Sequence, residues 1–104
     1  MFDPSKLADM MRQAQQMQQQ LQDDLRTRTV EGQAGGGLVA VKMNGMLEVQ
    51  AVHLDPKVVD KGDIPLLEDL IRAALAQAIS RVEEVRAENA QKMAGAMGLP
   101  GGMF

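Results

Sequence analysis

The spacing of apolar residues changes twice along the chain and divides it into three zones. In the first zone, residues 4–28, apolar side chains recur at steps of three and four, which places them on one stripe of a helix. Asp3 can cap the N-terminus of this helix, and Pro4 suits its first position because the N–H that proline lacks would have no helical partner there. The pattern predicts a long first helix.

The second zone, residues 29–54, has a period of two, which is typical of strands. Alternating residues over 38–44 lead into Asn44-Gly45, and a second alternating run follows. Asn-Gly between two such runs indicates a hairpin with a type I′ turn, in which both central residues have positive φ. The zone therefore predicts two antiparallel strands joined by a tight turn.

The same zone predicts a bulge and a third strand. Val49 and Val52 have opposite parity, so both can face the core only if a bulge lies near residues 50–51. Residues 29–33 form a further candidate strand, joined to the hairpin through the three glycines 35–37. The result is a small antiparallel sheet.

The third zone begins with a predicted loop over 55–62. Asp63 can then cap a helix that carries Pro65 in its first turn and continues to the end of the predicted domain. Glycine and methionine dominate the last eleven residues, which predicts a flexible tail. We expect one domain over 1–93 and a tail over 94–104, with an α+β fold in the order α-β-β-β-α.

The predicted helices are longer than the sheet that they flank. They span about 37 Å and about 45 Å, whereas strands of this length reach only about 25–30 Å. Apolar stripes that run past the sheet would face water in a monomer, and a large exposed apolar patch generally marks an interface. We therefore expect a homodimer with helices projecting as arms. The apolar residues predicted for its interface are Val39, Val41, Met43, Leu47, Val49, Leu70 and Ala74.

Composition removes several classes of function. Among 104 residues there is no Cys, Trp or Tyr and there are only two Phe, which excludes disulfide frameworks, thiol catalysis and base-stacking aromatic platforms. The chain carries no basic-then-apolar leader and no apolar run of about 20 residues, so we expect a cytoplasmic protein with no membrane partner. Eleven basic residues against fourteen acidic ones give a net charge of −3, which argues against a basic coat on nucleic acid.

Candidate catalytic features do not form a site. The glycine run 32–37 lacks the Gly-Lys-Ser/Thr of a phosphate loop and precedes a strand. His53 is the single histidine, and adjacent carboxylates such as Glu83-Glu84 point about 100° apart on a helix, so they do not converge on one atom. We expect no catalytic residue, no metal, no cofactor and no small-molecule substrate.

Basic residues are spread along both helices among similar numbers of acids. Residues 3–28 include four basic and four acidic residues, and residues 63–93 include four basic and six acidic residues. On these charges alone, ordinary solvated helix surfaces are the favoured interpretation.

Several segments together resemble the bacterial YbaB/EbfC family of nucleoid-associated proteins. The resemblance covers nearly the whole chain in order and is carried by MMRQAQQMQ at 10–18, VEGQAGGGLV at 30–39, MNG at 43–45, DP at 55–56 and LEDLIRAA at 67–74. It implies a tweezer-like homodimer that binds double-stranded DNA with little sequence specificity, bends or bridges it, and helps to organise or protect the chromosome in the nucleoid.

The resemblance also implies that basic residues of the two helices contact DNA phosphates. Such contacts position a protein on DNA without reading its sequence. They are Lys6, Arg12, Arg26, Arg28, Arg81, Arg86 and Lys92. A second hypothesis is a non-enzymatic adaptor that binds recombination or replication proteins through its arms and its Met-rich tail. Affinity for DNA that falls with salt would favour the first hypothesis.

Overall fold

A computed structural model describes residues 3–60 and 62–96 and confirms the α-β-β-β-α order, with one short helix added. The elements are α1 (Pro4–Thr27), β1 (Thr29–Ala34), β2 (Val39–Asn44), β3 (Val49–Leu54), α2 (Pro56–Asp60) and α3 (Ile64–Ala96). Within the described ranges, none of the helices has the length and apolarity needed to cross a membrane.

The first helix, α1, begins and ends as its sequence predicts. Oδ1 of Asp3 accepts hydrogen bonds from the backbone N–H of Ser5 at 3.0 Å and from its hydroxyl at 2.8 Å. At the other end the backbone N–H of Arg28 donates to the carbonyl of Asp24 at 3.2 Å. Every residue of α1 from 4 to 20 is exposed. We call α1 the arm, and the sheet together with α2 and α3 the body.

The strands form one antiparallel sheet in the order β1-β2-β3, which confirms the predicted small antiparallel sheet. Lys42 pairs with Ala51, but the next residue, Met43, pairs with Val49. Gln50 is therefore the extra residue of a bulge, at the position that the parity of the valines indicates.

The hairpin at Asn44-Gly45 is present, but the predicted type I′ turn is wrong. The backbone N–H of Asn44 donates to the carbonyl of Glu48 at 3.1 Å, so the loop has three residues, and its positive φ of 61° belongs to Leu47. The Asn44 side chain explains the longer loop, because its Oδ1 accepts from the backbone N–H of Met46 at 2.9 Å and of Glu48 at 3.1 Å. The first of these bonds satisfies the Met46 amide within the loop, and the second joins Asn44 to Glu48 across the base of the loop.

The segment predicted as a loop over 55–62 contains the short helix α2, which the apolar pattern did not predict. Asp55 begins it: its Oδ1 accepts from the backbone N–H of Lys57 at 2.9 Å, and Pro56 follows at the first helical position. Val58 is then buried at 1 % exposure. Asp63 caps α3 as predicted, its Oδ1 accepting from the N–H of Leu66 at 3.1 Å.

The core lies between α3 and one face of β1 and β2. Its fully covered side chains are Val39, Val41, Met43, Val58, Ala74, Ala78 and Val82. Gly32 lets the helix approach the sheet, because a Cβ there would lie 2.5 Å from the backbone nitrogen of Ala78. The helix continues to Ala96, three residues beyond the predicted domain end at residue 93, and the rest of the predicted tail lies outside the described residues.

Candidate nucleic-acid interface

The basic residues predicted to contact phosphate divide into two groups by their surroundings. Lys6 and Arg12 lie on the exposed part of the arm, and Arg81 and Lys92 are exposed on α3. Arg26, Arg28 and Arg86 instead lie where the arm meets the body. All four residues of the first group are exposed. In the second group Arg26 and Arg86 are exposed as well and Arg28 is half-buried, but all three contact a residue distant in sequence.

The first group is only weakly paired. Arg12 lies 3.9 Å from Asp9, with both side chains about two-thirds exposed or more (70 % and 67 %). Ion pairs this exposed are worth at most about 1 kcal/mol, so the Arg12 guanidinium can exchange Asp9 for a phosphate. Within residues 3–60 and 62–96, Lys6, Arg81 and Lys92 form no ion pair.

Helical spacing brings Arg81 and Lys92 to one face of α3. They are eleven residues apart, which at 3.6 residues per turn is about 20° of rotation and about 17 Å along the axis. Glu88 lies between them on the same face. This carboxylate forms an ion pair with Arg28, whose Nη2 lies 3.0 Å from Oε2 of Glu88.

The second group joins the arm to the body. Nε of Arg86 donates to the carbonyl oxygen of Gly45 at 2.8 Å, and Nε of Arg26 lies 3.3 Å from Oε1 of Glu48. With the Arg28–Glu88 pair, these contacts connect the last turn of α1 to the hairpin loop and to α3. Sequence spacing gave no sign of them, because the partners are 22 to 60 residues apart.

Glu48 is the group with the altered acidity in this region. A hydrogen bond of 2.8 Å from Nδ2 of Asn44, together with the nearby Arg26 guanidinium, lowers the pKa of Glu48 below its ordinary value. The carboxylate form therefore strengthens the connection between the hairpin loop and the arm.

Most of the predicted dimer interface is already covered within one chain. Val39, Val41, Met43 and Ala74 are 0–2 % exposed, and Leu70 packs against the same core. The first four side chains leave almost no surface for a second chain, whereas Leu70 is only partly buried. Leu47 and Val49 remain accessible, at 46 % and 52 % exposure.

The structure also shows a row of exposed apolar residues on β3, of which only Val49 belongs to the predicted interface. In the sheet register Val49, Val52 and Leu54 lie directly opposite Met43, Val41 and Val39, so they share the core-facing side of the sheet. They are nevertheless 52 %, 55 % and 36 % exposed. The β3 row, as we call Val49, Val52 and Leu54, extends the core face over a strand at the sheet edge.

The opposite face of the sheet is polar and open. A concavity there is lined by Glu31, Gln33, Lys42 and His53, together with Ala40 and Ala51. In the described part of the chain, no three His, Asp or Glu side chains are grouped closely enough to hold a metal ion.

Comparison with known proteins gives a consistent result. Residues 3–97 match the YbaB/EbfC DNA-binding family. The chain is 43% identical over 96 residues to a nucleoid-associated protein of Caldanaerobacter subterraneus subsp. tengcongensis, covering 89% of this chain and 86% of that one. It is 40% identical over 108 residues to a nucleoid-associated protein of Acidobacterium capsulatum, covering 99% of this chain and 100% of that one.

A solved structure shares the fold. An uncharacterized protein of Helicobacter pylori superposes with a TM-score of 0.73 at 25% sequence identity, over 89% of this chain and 98% of the other. The similarity therefore includes the long helices as well as the sheet.

Proposed function

Because the chain belongs to the YbaB/EbfC DNA-binding family, we propose that it binds double-stranded DNA as a homodimer, with little sequence preference, and bends or bridges it in the nucleoid. Its role would be to organise or protect the chromosome, without catalysis. The observation that carries the proposal is the pair of accessible cations on one face of α3, Arg81 and Lys92, together with the exposed cations Lys6 and Arg12 on the arm.

These four side chains suit phosphate better than bases. Each ends in a flexible cation, and the described residues of the arm and α3 offer no aromatic side chain that could stack on a base. Contacts of this kind orient a protein on the duplex and carry little sequence information. Low sequence preference follows from the chemistry of the side chains.

A homodimer is the assembly that the exposed β3 row favours. A monomer would keep three large apolar side chains in water at a sheet edge that has no described strand beyond it. The opposite edge differs, because the backbone N–H of Gln33 on β1 donates to Oε1 of Gln77 on α3 at 2.7 Å. We propose that a second copy covers the β3 row, together with Leu47.

The test is DNA binding measured against salt. Anisotropy of a labelled random-sequence duplex should report binding at about 50 mM salt that weakens steeply toward about 200 mM. Arg81→Ala and Lys92→Ala should each lower the slope of log affinity against log salt by about one per chain, hence about two per dimer. Arg72→Ala is the matched control, because Arg72 is exposed on the opposite side of α3 and lies 3.8 Å from Asp69.

The alternative function is an adaptor for recombination or replication proteins. The exposed apolar side chains of the arm favour it, since Leu7, Met10, Met11 and Met17 are 41–66 % exposed and offer a helical docking surface. A wild-type chain that shows no DNA binding at about 50 mM salt would contradict the DNA proposal and leave the adaptor.

A further inference from the structure

The arm is attached to the body by its last turn. No residue of α1 is buried, so little apolar packing holds it in place. The hairpin loop caps the helix instead: the backbone N–H of Gly45 donates to the carbonyls of Leu25 at 2.8 Å and of Arg28 at 3.1 Å. Gly45 must be glycine for this approach, because a Cβ would lie 2.7 Å from the Leu25 carbonyl oxygen.

Two arginines complete the attachment. Arg86 holds the same loop from α3 through the Gly45 carbonyl. Arg28 reaches α3 directly through its 3.0 Å pair with Glu88, and its side chain is only 34% exposed. Nη1 of Arg28 is enclosed and has no hydrogen-bond partner among the described residues. The Arg28 guanidinium is therefore held by the protein and is poorly placed to reach a phosphate.

We propose that Glu88, an acidic residue, is a positioning residue for DNA binding, acting through Arg28. The pair fixes the direction of the arm, and with it the place of Lys6 and Arg12 relative to Arg81 and Lys92. This inference rests on the proposed DNA-binding function and assigns Arg28 and Arg86 to positioning instead of phosphate contact.

The length of the arm makes its attachment important. Lys6 lies 19 residues before Leu25, which is about 29 Å along the helix. A tilt of about 10° at the last turn would move Lys6 by about 5 Å, which is enough to separate an ammonium group from a phosphate oxygen. Small changes at the junction would therefore misplace the cations near the tip of the arm.

The proposal makes a prediction opposite to that of simple charge counting. Glu88 lies on the helix face between Arg81 and Lys92, where a carboxylate repels phosphate. Removing its charge should therefore tighten DNA binding if electrostatics alone mattered. If Glu88 positions the arm through Arg28, Glu88→Gln should weaken binding.

The experiment compares salt titrations of full-length wild type, Glu88→Gln and Glu84→Gln on the same duplex. We expect Glu88→Gln to bind about two- to fivefold more weakly, in line with the coupling of a part-exposed ion pair, and to show a lower salt slope than wild type because the displaced arm cations leave their phosphates. Glu84→Gln is the control: Glu84 is exposed on the same helix and forms no ion pair in the described residues, and its loss should leave binding equal or tighter.

A charge exchange tests the pair itself. Arg28→Glu alone should weaken binding, and the double variant Arg28→Glu/Glu88→Arg should restore it to within about twofold, because the ion pair is reformed in reverse. Glu88→Gln should also speed amide hydrogen exchange at Gly45, whose N–H caps the arm.

Three outcomes would overturn the inference: tighter binding by Glu88→Gln, a salt slope in that variant that stays at the wild-type value, or a double variant no better than Arg28→Glu. All three require a wild-type chain that binds DNA, so they leave the proposed function standing. Loss of wild-type binding would refute the function itself, and the inference with it.

Discussion

Gly32 lies where α3 packs directly against the sheet, with the backbone of Ala74 and Ala78 close to its Cα. A Cβ at this position would lie 2.1 Å from the carbonyl oxygen of Ala74, which is a backbone atom and has no rotamer by which to move away. The position therefore excludes every side chain, and the spacing of the whole helix–sheet layer depends on it.

We predict that Gly32→Ala destabilises the fold by about 3 kcal/mol or more, because α3 must move off the sheet and open a gap in the core. Urea unfolding followed by circular dichroism measures this loss. Gly95→Ala is the control: Gly95 is helical with open space around it, so the change should stabilise by about 0.5–1 kcal/mol. Similar stability of the two variants would contradict the close contact.

A second prediction at this scale concerns the pH response of Glu48. Because its pKa is lowered in the folded state, its stabilising effect is complete above the ordinary glutamate pKa and is lost as pH falls through the lowered value. Glu48→Gln should therefore show a smaller fall in melting temperature on acidification below about pH 4.5 than wild type. Glu83→Gln is the control, because Glu83 forms no ion pair in the described residues. The melting temperature of this variant should fall on acidification by as much as that of wild type.

Single residues also mark the limit of prediction from sequence. The caps at Asp3 and Asp63 and the glycines at 35–37, with φ of 67°, 69° and 97°, follow from local rules. The loop at Asn44 does not follow from local rules, because Asn-Gly is compatible with a two-residue type I′ turn as well as with the observed three-residue loop. The observed loop is held by the hydrogen bond from Glu48 to the Asn44 side chain and by the hydrogen bonds from Gly45 to the last turn of the arm.

At the scale of elements, period and length predicted the long helices, the strands and the bulge. They did not reveal that α3 covers β1 and β2 and leaves the β3 row exposed. A two-residue period shows that a strand has an apolar face, but it does not say whether that face is covered by the same chain or by another. This is why four residues predicted for the interface are core residues instead.

The β3 row gives a prediction at this scale. Val52→Asp should shift the chain from dimer to monomer at micromolar concentration, because a charge would be buried at the proposed interface. Ala51→Asp places the same charge on the opposite face of the same strand, beside Lys42 in the register, and should leave the dimer intact. Light scattering gives both masses, and an unchanged mass for Val52→Asp would show that the row is not the interface.

At the scale of the molecule, the net charge of −3 restricts how DNA can be held. The described structure measures 73 × 28 × 16 Å, so its charges are spread along an elongated molecule and do not act as a single point charge. The screening length at physiological salt is about 8 Å. Acidic residues on one face of α3 therefore have little effect on a phosphate bound at the opposite face. A few local cations can thus bind DNA on an acidic chain, and the affinity should be modest and sensitive to salt.

Dimerisation should double those cations, which connects the proposed interface to the proposed function. If each chain of the dimer supplies the same phosphate contacts, Val52→Asp should bind DNA with about half the wild-type salt slope. Ala51→Asp carries an identical added charge, so it separates loss of the partner from repulsion by the new carboxylate, and its slope should stay near that of wild type. An undiminished slope in a Val52→Asp variant shown to be monomeric would mean that one chain makes all the contacts, and the arms would not act as a pair.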